Sequence, residues 1–452
     1  MLRSVVVDDN GNLRLLTVEP HHVPGGVSSA GPLGVRRLQV YPDCMLSQTT
    51  GTPVRIPAPL GAAELALSLR PFGESRMLPR SAYVDRDVFD WEQANFFEGG
   101  WMCLGRSSLV GNPGDQRAEA AGRGSIFLMR GLDGVARAFA NACRHRGHEL
   151  LPCGADTVNR EIVLCPYHAW SYRLDGRLRR APSFGGDATF DPDELGLVEL
   201  PCVEWHGLLF VDASATGGPF ADHVAGLDEV VAPYELERLV TKGRHDYEVA
   251  SNWKVLAENY QECYHCPSIH PELCAASPPT SGANHQHPGS GAWVAGWMDI
   301  RDEYATMSLD GRTSGTPLRG LDERRRRIVD YIGLFPNVLI SLHPDYVMTH
   351  VLTPLDVDRT RIVCEWHFAP EDVARPDFDP SFAVDFWDVT NRQDWLACES
   401  VQRGMSSPHA IPGPLSEQED GLYQWVSMLA GAYLGRPART PAMEVPAGAQ
   451  QA

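Results

Sequence analysis

The chain has 452 residues, a formal net charge of −19 and 11 cysteines. Its length predicts two or three domains, and its acidity argues against a nucleic-acid-binding protein, which would carry a basic patch or stripe. It lacks a long apolar stretch and an N-terminal signal pattern, and an odd cysteine count disfavours a disulfide framework, so we expect a cytoplasmic protein without a membrane anchor.

The N-terminal residues differ in composition from the rest of the chain. Residues 1–62 are rich in Gly, Pro, Val and Ser without strong periodicity, and we expect a loosely ordered N-terminal extension. An upstream start codon is the open alternative, with Met45 and Met77 as internal starts. Residues 63–98 are predicted to form a helical lead-in that includes a short helix over Asp90–Phe97.

Residues 99–215 are predicted to form a small all-β domain. Short apolar runs alternate here with turn signals such as Gly131–Gly134 and Asp175–Gly176. The expected strands include Ser125–Arg130, Ala136–Ala140, Ile162–Cys165 and Gly207–Val211. The Gly- and Pro-containing stretch Thr216–Pro219 then indicates a domain boundary.

Residues 216–435 mix strands with long helices and are predicted to be α+β. The expected strands are His245–Val249, Arg327–Ile332, Val338–Ser341, Val347–Thr353 and Arg361–His367. The expected helices are Trp253–Tyr264, Phe382–Arg403 and a last helix that begins with the capping-box pattern Ser416–Glu419. The Pro- and Ala-rich residues 436–452 are expected to be a flexible tail.

Two cysteine–histidine pairs are the most informative residues of the β domain. Cys143 and His145 form a C-x-H motif, and after a gap of 19 residues Cys165 and His168 form C-x-x-H. The four side chains can bind one [2Fe–2S] cluster, with two thiolates on one iron and two imidazoles on the other, which raises the reduction potential. A zinc site is the alternative, but zinc fingers usually pair Cys with Cys and His with His.

A second metal site is predicted around His265 and His270. Histidines five residues apart do not share one face of a straight helix, but Pro267 is expected to break the helix and let both imidazoles reach one point. Two imidazoles and one carboxylate form the facial triad of non-haem Fe(II) oxygenases, and Asp394 is our candidate carboxylate. Three other carboxylates on the same predicted helix remain alternatives: Asp385, Asp388 and Glu399.

These motifs resemble those of Rieske oxygenase α-subunits, from about residue 80 to residue 432. The segments that carry the likeness, besides the four cluster residues, are Ala169–Tyr172, Asp175–Gly176, Asn252–Lys254, Glu258–Tyr260, Tyr264–Cys266, His270–Leu273 and Asp394–Ser407. The resemblance implies an α+β protein with an N-terminal all-β Rieske [2Fe-2S] domain, followed by a catalytic domain with a helix-grip (START-like) antiparallel sheet. It also implies a head-to-tail homotrimer, in which the cluster of one subunit faces the iron of the next.

The resemblance also assigns cofactors and partners. The cluster ligands would be Cys143, His145, Cys165 and His168, and the mononuclear Fe(II) ligands would be His265, His270 and Asp394. Electrons would come from an NAD(P)H-dependent reductase carrying a flavin, with or without a ferredoxin, and O2 would be the co-substrate. The chain has no Gly-rich nucleotide-binding fingerprint, which places nicotinamide and flavin chemistry on the partner.

Glu262 refines the resemblance. Many ring-hydroxylating dioxygenases have Asp at this position, where it bridges a cluster histidine and an iron histidine, by position His168 and His265. The run from Glu262 to Cys266 is more similar to the branch that oxidises quaternary amines such as glycine betaine, proline betaine, choline and carnitine. Aromatic faces bind a quaternary ammonium, and the candidates are Tyr260, Tyr264, Trp293, Trp297, Tyr331, Phe335 and Trp366.

We therefore expect an oxygenase component that oxidises a C–H bond of a methylated or quaternary amine, by N-demethylation or C–N cleavage. A ring-hydroxylating dioxygenase would use the same metals, so it stays an alternative. A Rieske electron-transfer protein would need only the cluster. A zinc-stapled structural protein, stabilised by zinc at the cysteines and histidines, would need neither the [2Fe–2S] cluster nor the mononuclear iron.

Overall fold

The N-terminal strands form a unit of their own. The computed structural model describes these two strands and residues 56–184, 190–285 and 289–442. β1 (Arg3–Val7) and β2 (Leu13–Thr17) pair antiparallel within the unit Met1–Pro42, and the second unit is Asp43–Ala452. The rest of the predicted extension up to residue 55, and residues 443–452 of the predicted tail, lie outside the described residues.

Short helices precede the β domain. They are α1 (Ala62–Ser68), α2 (Ser81–Val84), α3 (Arg86–Glu92) and a π-helical segment, Gln93–Phe97. The Asp85 carboxylate accepts the Asp87 N–H at 2.9 Å and so satisfies a free donor at the start of α3. Leu65 and Phe97 are buried in one hydrophobic core with Trp425 near the C-terminus, so the lead-in packs on the second half of the chain.

The β domain consists of three small antiparallel sheets. Its strands are β3 (Trp101–Arg106), β4 (Asp115–Ala121), β5 (Gly124–Arg130), β6 (Ala136–Ala140), β7 (Val158–Asn159), β8 (Val163–Leu164), β9 (Ser171–Tyr172), β10 (Leu178–Arg180), β11 (Glu199–Leu200), β12 (Cys202–Trp205) and β13 (Leu208–Asp212). The sheet orders are β11-β6-β5-β4-β7, β12-β13-β3 and β10-β9-β8. Phe127, Phe139 and Tyr172 share a core with Cys143 and Cys165, so the cluster motifs lie at the edge of a packed interior.

The second half is built on a seven-stranded antiparallel sheet. Its strands are β14 (Val240–Val249), β15 (Ala283–Asn284), β16 (Trp293–Asp299), β17 (Ile328–Leu334), β18 (Val338–Leu342), β19 (Tyr346–Asp356) and β20 (Arg359–Phe368). Their order is β14-β20-β19-β18-β17-β16-β15. All five strands predicted in this half are present, most of them longer than predicted.

The helices of the second half are short except for the last two. They are α4 (Phe220–His223), α5 (Asp228–Val231), α6 (Trp253–Asn259), α7 (Cys266–Ile269), α8 (Pro271–Ala276), α9 (Pro370–Val373), α10 (Ser381–Met405) and α11 (Asp420–Tyr433). Short 3₁₀ turns occupy Ser107–Val110, Pro192–Leu195, Ala232–Tyr234, Leu236–Arg238 and Arg325–Arg327. Among the described helices, none combines the length and apolar character needed to cross a bilayer.

Three local predictions were wrong. The predicted helix over Trp253–Tyr264 ends at Asn259, and Pro267 lies in the first turn of α7, where a proline is favoured because that N–H needs no partner. Pro267 therefore starts a helix instead of breaking one. The last helix begins at Asp420, although Glu419 still accepts the Ser416 N–H at 2.5 Å, as in half of a capping box.

A buried ion pair joins the lead-in to α6. Lys254 Nζ lies 2.7 Å from Glu92 Oε1, and both side chains are 0% exposed. The second Glu92 oxygen accepts the Trp253 indole N–H at 2.8 Å, and the Tyr433 hydroxyl also donates to Glu92. Each carboxylate oxygen therefore has a partner, which a charge buried at this depth requires.

Candidate metal centres and substrate cavity

The two cluster motifs lie in matching tight loops of the β domain. In the first loop the Gly147 N–H donates to the Cys143 carbonyl (2.9 Å), and in the second the Ala169 N–H donates to the Cys165 carbonyl (3.1 Å). Gly147 and Ala169, each four residues after its cysteine, both have positive φ, of 71° and 58°. This left-handed residue turns the chain back and brings each histidine beside its cysteine.

The loops place the cysteines inward and His168 outward. Cys143 and Cys165 are buried, His168 is exposed, and the His145 and His168 ring centroids are 4.6 Å apart. Trp170 stacks on the His145 ring at 5.0 Å, and His145 Nδ1 is buried without a hydrogen-bond partner among the described residues. Two buried sulfurs beside two paired imidazoles, one with an unused nitrogen, form a donor set that fits a Rieske cluster.

Tyr172 supports the cysteine side of this site. Its hydroxyl lies 3.1 Å from Cys143 Sγ and accepts the Arg144 N–H at 3.0 Å. The Tyr172 hydroxyl proton is therefore available to the sulfur, and a hydrogen bond to a ligand sulfur is one way in which a protein tunes an iron–sulfur cluster.

The predicted iron ligands converge at one point. His265 is the N-cap of α7, His270 links α7 to α8, and Asp394 lies on α10. Asp394 Oδ1 is 2.9 Å from His270 Nε2 and 3.5 Å from His265 Nε2. Two imidazole nitrogens facing one carboxylate oxygen form the donor set of a facial triad.

The rival carboxylates have other partners or face solvent. Asp388 accepts the Tyr247 hydroxyl at 2.7 Å, Glu399 accepts the Ala250 N–H at 3.3 Å, and Asp385 is exposed. Burial raises the pKa of Asp394, but hydrogen bonds from both histidines outweigh it and hold that pKa below its ordinary value. Asp394 is thus the carboxylate of this helix that is positioned to bind the metal.

Each candidate iron histidine is oriented by a second side chain. His265 Nδ1 lies 2.5 Å from Glu262 Oε1, and His270 Nδ1 lies 2.8 Å from Gln393 Oε1. Gln393 Nε2 in turn donates to Glu272 at 3.0 Å. Such contacts fix the ring and the tautomer of a ligating imidazole. Sequence reasoning missed Gln393 and Glu272, and the position of Gln393 next to Asp394 was the only signal.

Glu262 also closes the turn between α6 and α7. Its Oε2 accepts the backbone N–H groups of Tyr264, at 2.5 Å, and His265, at 3.2 Å. The carboxylate therefore holds both the backbone and the ring of His265. The contact with His168 that the resemblance implies would be made across a subunit interface.

A disulfide that the sequence did not predict flanks His265. Cys263 and Cys266 are joined across three positions, and Cys266 Sγ lies 3.9 Å from His265 Nε2. The donor atoms of His265, Cys266 and His270 all lie within 4.8 Å of one another. In the bonded form the Cys266 sulfur is not a thiolate, so the oxygen of Asp394 is the better third donor.

A cavity of about 490 Å³ opens onto this site. Five aromatic side chains line it together with the three candidate ligands: Tyr260, Trp297, Tyr331, Trp387 and Trp395. Three of them were among the seven aromatic candidates. The other four candidates lie elsewhere: Trp293, Phe335 and Trp366 are buried in the core and Tyr264 is exposed. Trp387 and Asn391 share one face of α10 with Asp394 through spacings of four and three, a pattern visible in the sequence.

Comparison with known families identifies both halves. Residues 100–192 match the family described as "Rieske [2Fe-2S] domain", and residues 236–434 match "Ring hydroxylating alpha subunit (catalytic domain)". The chain belongs to the Rieske ring-hydroxylating oxygenases. Its two domains imply one Rieske cluster and one mononuclear iron, and oxygenase subunits of this family work with a separate reductase.

Two curated relatives and one solved structure are similar over most of the chain. The glycine betaine monooxygenase oxygenase subunit of Pseudomonas aeruginosa is 28% identical over 405 residues, 83% of this chain and 92% of that protein. The carnitine monooxygenase oxygenase subunit of Escherichia coli is 29% identical over 338 residues, 74% of this chain and 85% of that protein. The quaternary ammonium Rieske monooxygenase CntA with substrate L-carnitine has a TM-score of 0.67 at 23% identity, covering 83% of this chain and 99% of that one.

These matches confirm the predicted fold class. An all-β Rieske domain precedes a catalytic domain with a large antiparallel sheet. Because the catalytic domain of an oxygenase is present, the alternatives of a pure electron carrier and of a zinc-stapled structural protein were wrong.

Proposed function

We propose that this Rieske oxygenase oxidises a C–H bond next to nitrogen in a methylated or quaternary amine, with N-demethylation or C–N cleavage as the outcome. The observation that carries the proposal is the aromatic cavity at the candidate iron site. A quaternary ammonium offers no N–H to donate, so aromatic faces are its natural partners. The names of the two curated relatives give independent support.

The cavity has the size and lining for such a substrate. At about 490 Å³ it lies within the usual range of small-molecule pockets, roughly 300–1,000 Å³. The ring centroids of Tyr260 and Tyr331 lie 5.9 Å apart, with the ring planes at 74° to each other. The ring centroids of Tyr260 and His350 lie 6.2 Å apart. The Tyr260 hydroxyl is hydrogen-bonded to Ser341 at 2.7 Å, so its ring is held in place.

We propose the following roles for the candidate residues. The cluster is held by Cys143, His145, Cys165 and His168, and the mononuclear iron by His265, His270 and Asp394. When bound, the two metal centres supply electron storage and O2 activation. The chain itself orients the imidazoles through Glu262 and Gln393 and encloses the substrate next to them.

We also propose a head-to-tail homotrimer and the domain limits 63–98, 99–215 and 216–435. Exposure of His168 supports the trimer, because an imidazole at the surface can reach a carboxylate of another subunit. The Glu262 side chain is 10% exposed in the single chain, so one edge of it faces outward. Mass measurement of the native assembly tests this arrangement, and a monomer or dimer contradicts it.

The test of the function is a substrate screen on anaerobically reconstituted protein with a surrogate reductase. We expect formaldehyde or another aldehyde to be released from at least one quaternary amine. The Tyr260→Leu variant is expected to raise KM for that amine by about 3- to 30-fold, the loss of one cation–π contact, whereas Tyr260→Phe keeps KM within about threefold. Diol formation from an arene, with no amine turned over, would establish the dioxygenase alternative instead.

A further inference from the structure

A pair of bonded cysteines lies in the turn that provides the first candidate iron histidine. Cys263 and Cys266 stand on either side of His265 and are joined by a disulfide. Both line the catalytic cavity, where Cys263 is half-buried and Cys266 is 2% exposed. Cys202 and Cys274 are free thiols, so the chain does not use its cysteines as a structural framework. The bond beside the candidate iron site therefore indicates a local role.

The Cys266 sulfur lies close to where a metal ligand would lie. Its Sγ is 3.9 Å from His265 Nε2, and the donor atoms of His265, Cys266 and His270 all lie within 4.8 Å of one another. A nitrogen at about 2.0 Å and a sulfur at about 2.3 Å from one tetrahedral metal ion are roughly 3.6 Å apart. The measured separation exceeds this value by only about 0.3 Å.

The backbone holds Cys266 at this place without help from the disulfide. Its N–H donates to the Cys263 carbonyl at 3.2 Å, and its carbonyl accepts the His270 N–H at 2.9 Å. Breaking the sulfur–sulfur bond therefore frees the Cys266 side chain but leaves it beside both histidines. The thiolate is the form of cysteine that binds metals, and a disulfide sulfur is not a thiolate.

A free Cys266 would change the kind of metal site. Two imidazoles and the Asp394 carboxylate alone leave open positions on the metal, as a non-haem iron oxygenase needs. A thiolate added to this set gives four protein donors, which is the closed tetrahedral arrangement of a structural zinc site. Thiolate is also a soft ligand that favours zinc over iron.

We propose that the bonded cysteines Cys263 and Cys266 are a redox switch of the mononuclear metal site. In the oxidised state the Cys266 sulfur is kept off the metal, and the site has three ligands and open positions. In the reduced state Cys266 becomes a fourth donor, which closes the site and favours Zn²⁺. The inference rests on the proposed iron ligands and goes beyond the oxidation of an amine.

Thiol–disulfide exchange connects the two states. The thiolate of a dithiol reductant attacks the sulfur of Cys263, the more accessible residue, and the Cys266 sulfur leaves as a thiolate. The second thiol of the reductant then displaces Cys263 and closes the reductant's own disulfide, so two electrons and two protons pass to the pair. In the reverse direction, hydrogen peroxide oxidises the two thiols to the disulfide and is reduced to two molecules of water.

The first test examines the oxidation state of the pair in the full chain with its cluster. The protein is incubated without O2 in oxidised or reduced dithiothreitol, alkylated in denaturant and digested for mass spectrometry. We expect Cys263 and Cys266 to be unlabelled after oxidation and both labelled after reduction, with Cys274 labelled in either case. A pair that keeps the same labelling under both treatments overturns the switch.

The second test uses Zn²⁺ alone as the probe, after a chelator has removed the mononuclear iron. X-ray absorption at the zinc edge is expected to show a sulfur neighbour at about 2.3 Å in the reduced protein and none in the oxidised protein. The reduced protein is expected to bind Zn²⁺ at least about 100-fold more tightly, the share of one ligand among four. Equal affinity in the two states contradicts the proposal.

Two variants separate metal binding by Cys266 from the effect of the crosslink. Both lack the disulfide, but Cys263→Ala keeps the candidate sulfur donor and Cys266→Ala removes it. Cys263→Ala should show the sulfur neighbour and tight Zn²⁺ binding after either redox treatment, and Cys266→Ala should show neither. Cys274→Ser, which removes a half-buried free thiol, is the control and should follow the wild type. Equal Zn²⁺ affinity of the two alanine variants overturns the role of Cys266 as a donor.

The outcomes distinguish this inference from the proposed iron ligands. The visible spectrum of the cluster and the melting temperature show that a variant is folded, and if one does not fold, the two states of the wild type decide. Zn²⁺ bound without a sulfur neighbour in both states overturns the switch and leaves the iron ligands standing. Zn²⁺ binding that is the same in Asp394→Ala as in the wild type overturns the iron ligands as well.

Discussion

The two candidate metal centres are held in opposite ways. At the cluster site the sulfurs are buried but the His168 side chain faces solvent, and the described residues provide few hydrogen bonds to the imidazoles. At the iron site His270 is 1% exposed, and both histidines are hydrogen-bonded at their second nitrogen. One centre lies at the surface on two loops, and the other lies inside a cavity with fixed ligands.

The difference follows from what each centre must contact. Electron transfer needs only close approach of a partner, so one exposed imidazole on a short loop suffices. Oxidation of a substrate needs open metal positions, an enclosed space and ligands that keep their orientation. The surrounding hydrogen bonds are therefore concentrated at the iron site, and changes there and at the cluster should have separable effects.

The largest separable effect is expected for Asp394→Ala. Removing the only carboxylate of the proposed triad should lower the iron content by one per chain and bring product formation to background, while the visible spectrum of the cluster is unchanged. Asp385→Asn, an exposed carboxylate on the same helix, is the control and should keep both. Full iron content in Asp394→Ala, measured by metal analysis, contradicts the assignment.

Cys143→Ser is expected to have the opposite effect to Asp394→Ala: it removes the cluster and keeps the mononuclear iron. Loss of one of two buried thiolates should abolish the visible absorption and the low-field EPR signal of the cluster, while the mononuclear iron stays bound. Cys202→Ser, a half-buried cysteine of the same domain, is the control. A cluster signal of normal intensity in Cys143→Ser would falsify the ligand set proposed for the β domain.

Glu262→Gln tests the connection between the two regions. An amide that keeps its oxygen on the two backbone N–H groups turns its NH2 towards His265 Nδ1, which carries a hydrogen when Nε2 binds the metal, so the hydrogen bond to the ring is lost. We expect both metals to be retained and amine turnover to fall by about 10- to 100-fold, as for other residues that orient a ligand. The measurement is coupled product formation against metal content. Wild-type turnover would leave Glu262 with a purely structural role in the turn.

The smallest effect concerns the melting temperature at acid pH. It comes from the buried neutral histidines of the catalytic half, of which His223 is one. Burial lowers the pKa of His223 from 6.5 to about 4. Between those values the unfolded chain binds a proton that the folded chain does not, so stability is lost as pH falls. The melting temperature of His223→Gln should therefore fall less between pH 7 and about pH 4.5 than the melting temperature of the wild type does. Exposed His409→Gln is the control, and an identical loss in both variants contradicts the burial argument.

The sequence predicted the features that depend on local spacing. The strands of both halves follow from alternation and turn signals, and the cluster motifs from ligands a few residues apart. Asp394 needed the resemblance, because helix carboxylates look alike until their partners are known. Only the fold brings Asp394 to His270, at 2.9 Å and across more than a hundred positions.

The features that sequence reasoning missed depend on long-range packing. Gln393 matters because α10 passes beside His270. The disulfide of Cys263 and Cys266 was missed because whole-chain cysteine arithmetic does not detect a bridge within one turn. Pro267 was predicted to break a helix because the predicted helix ran to Tyr264. In the structure α6 ends at Asn259, so Pro267 falls in the first turn of α7.

The Glu92–Lys254 pair limits how this chain can be divided. Lys254 lies on the helix that leads to the iron site, while Glu92 belongs to the lead-in before the β domain. A fragment that starts after the lead-in would keep the lysine in the interior without its counter-charge, at a cost of about 3–5 kcal/mol. The catalytic half is therefore expected to be expressed intact only with residues that precede the β domain, and protein engineers who exchange Rieske domains must carry Glu92 and Lys254 together.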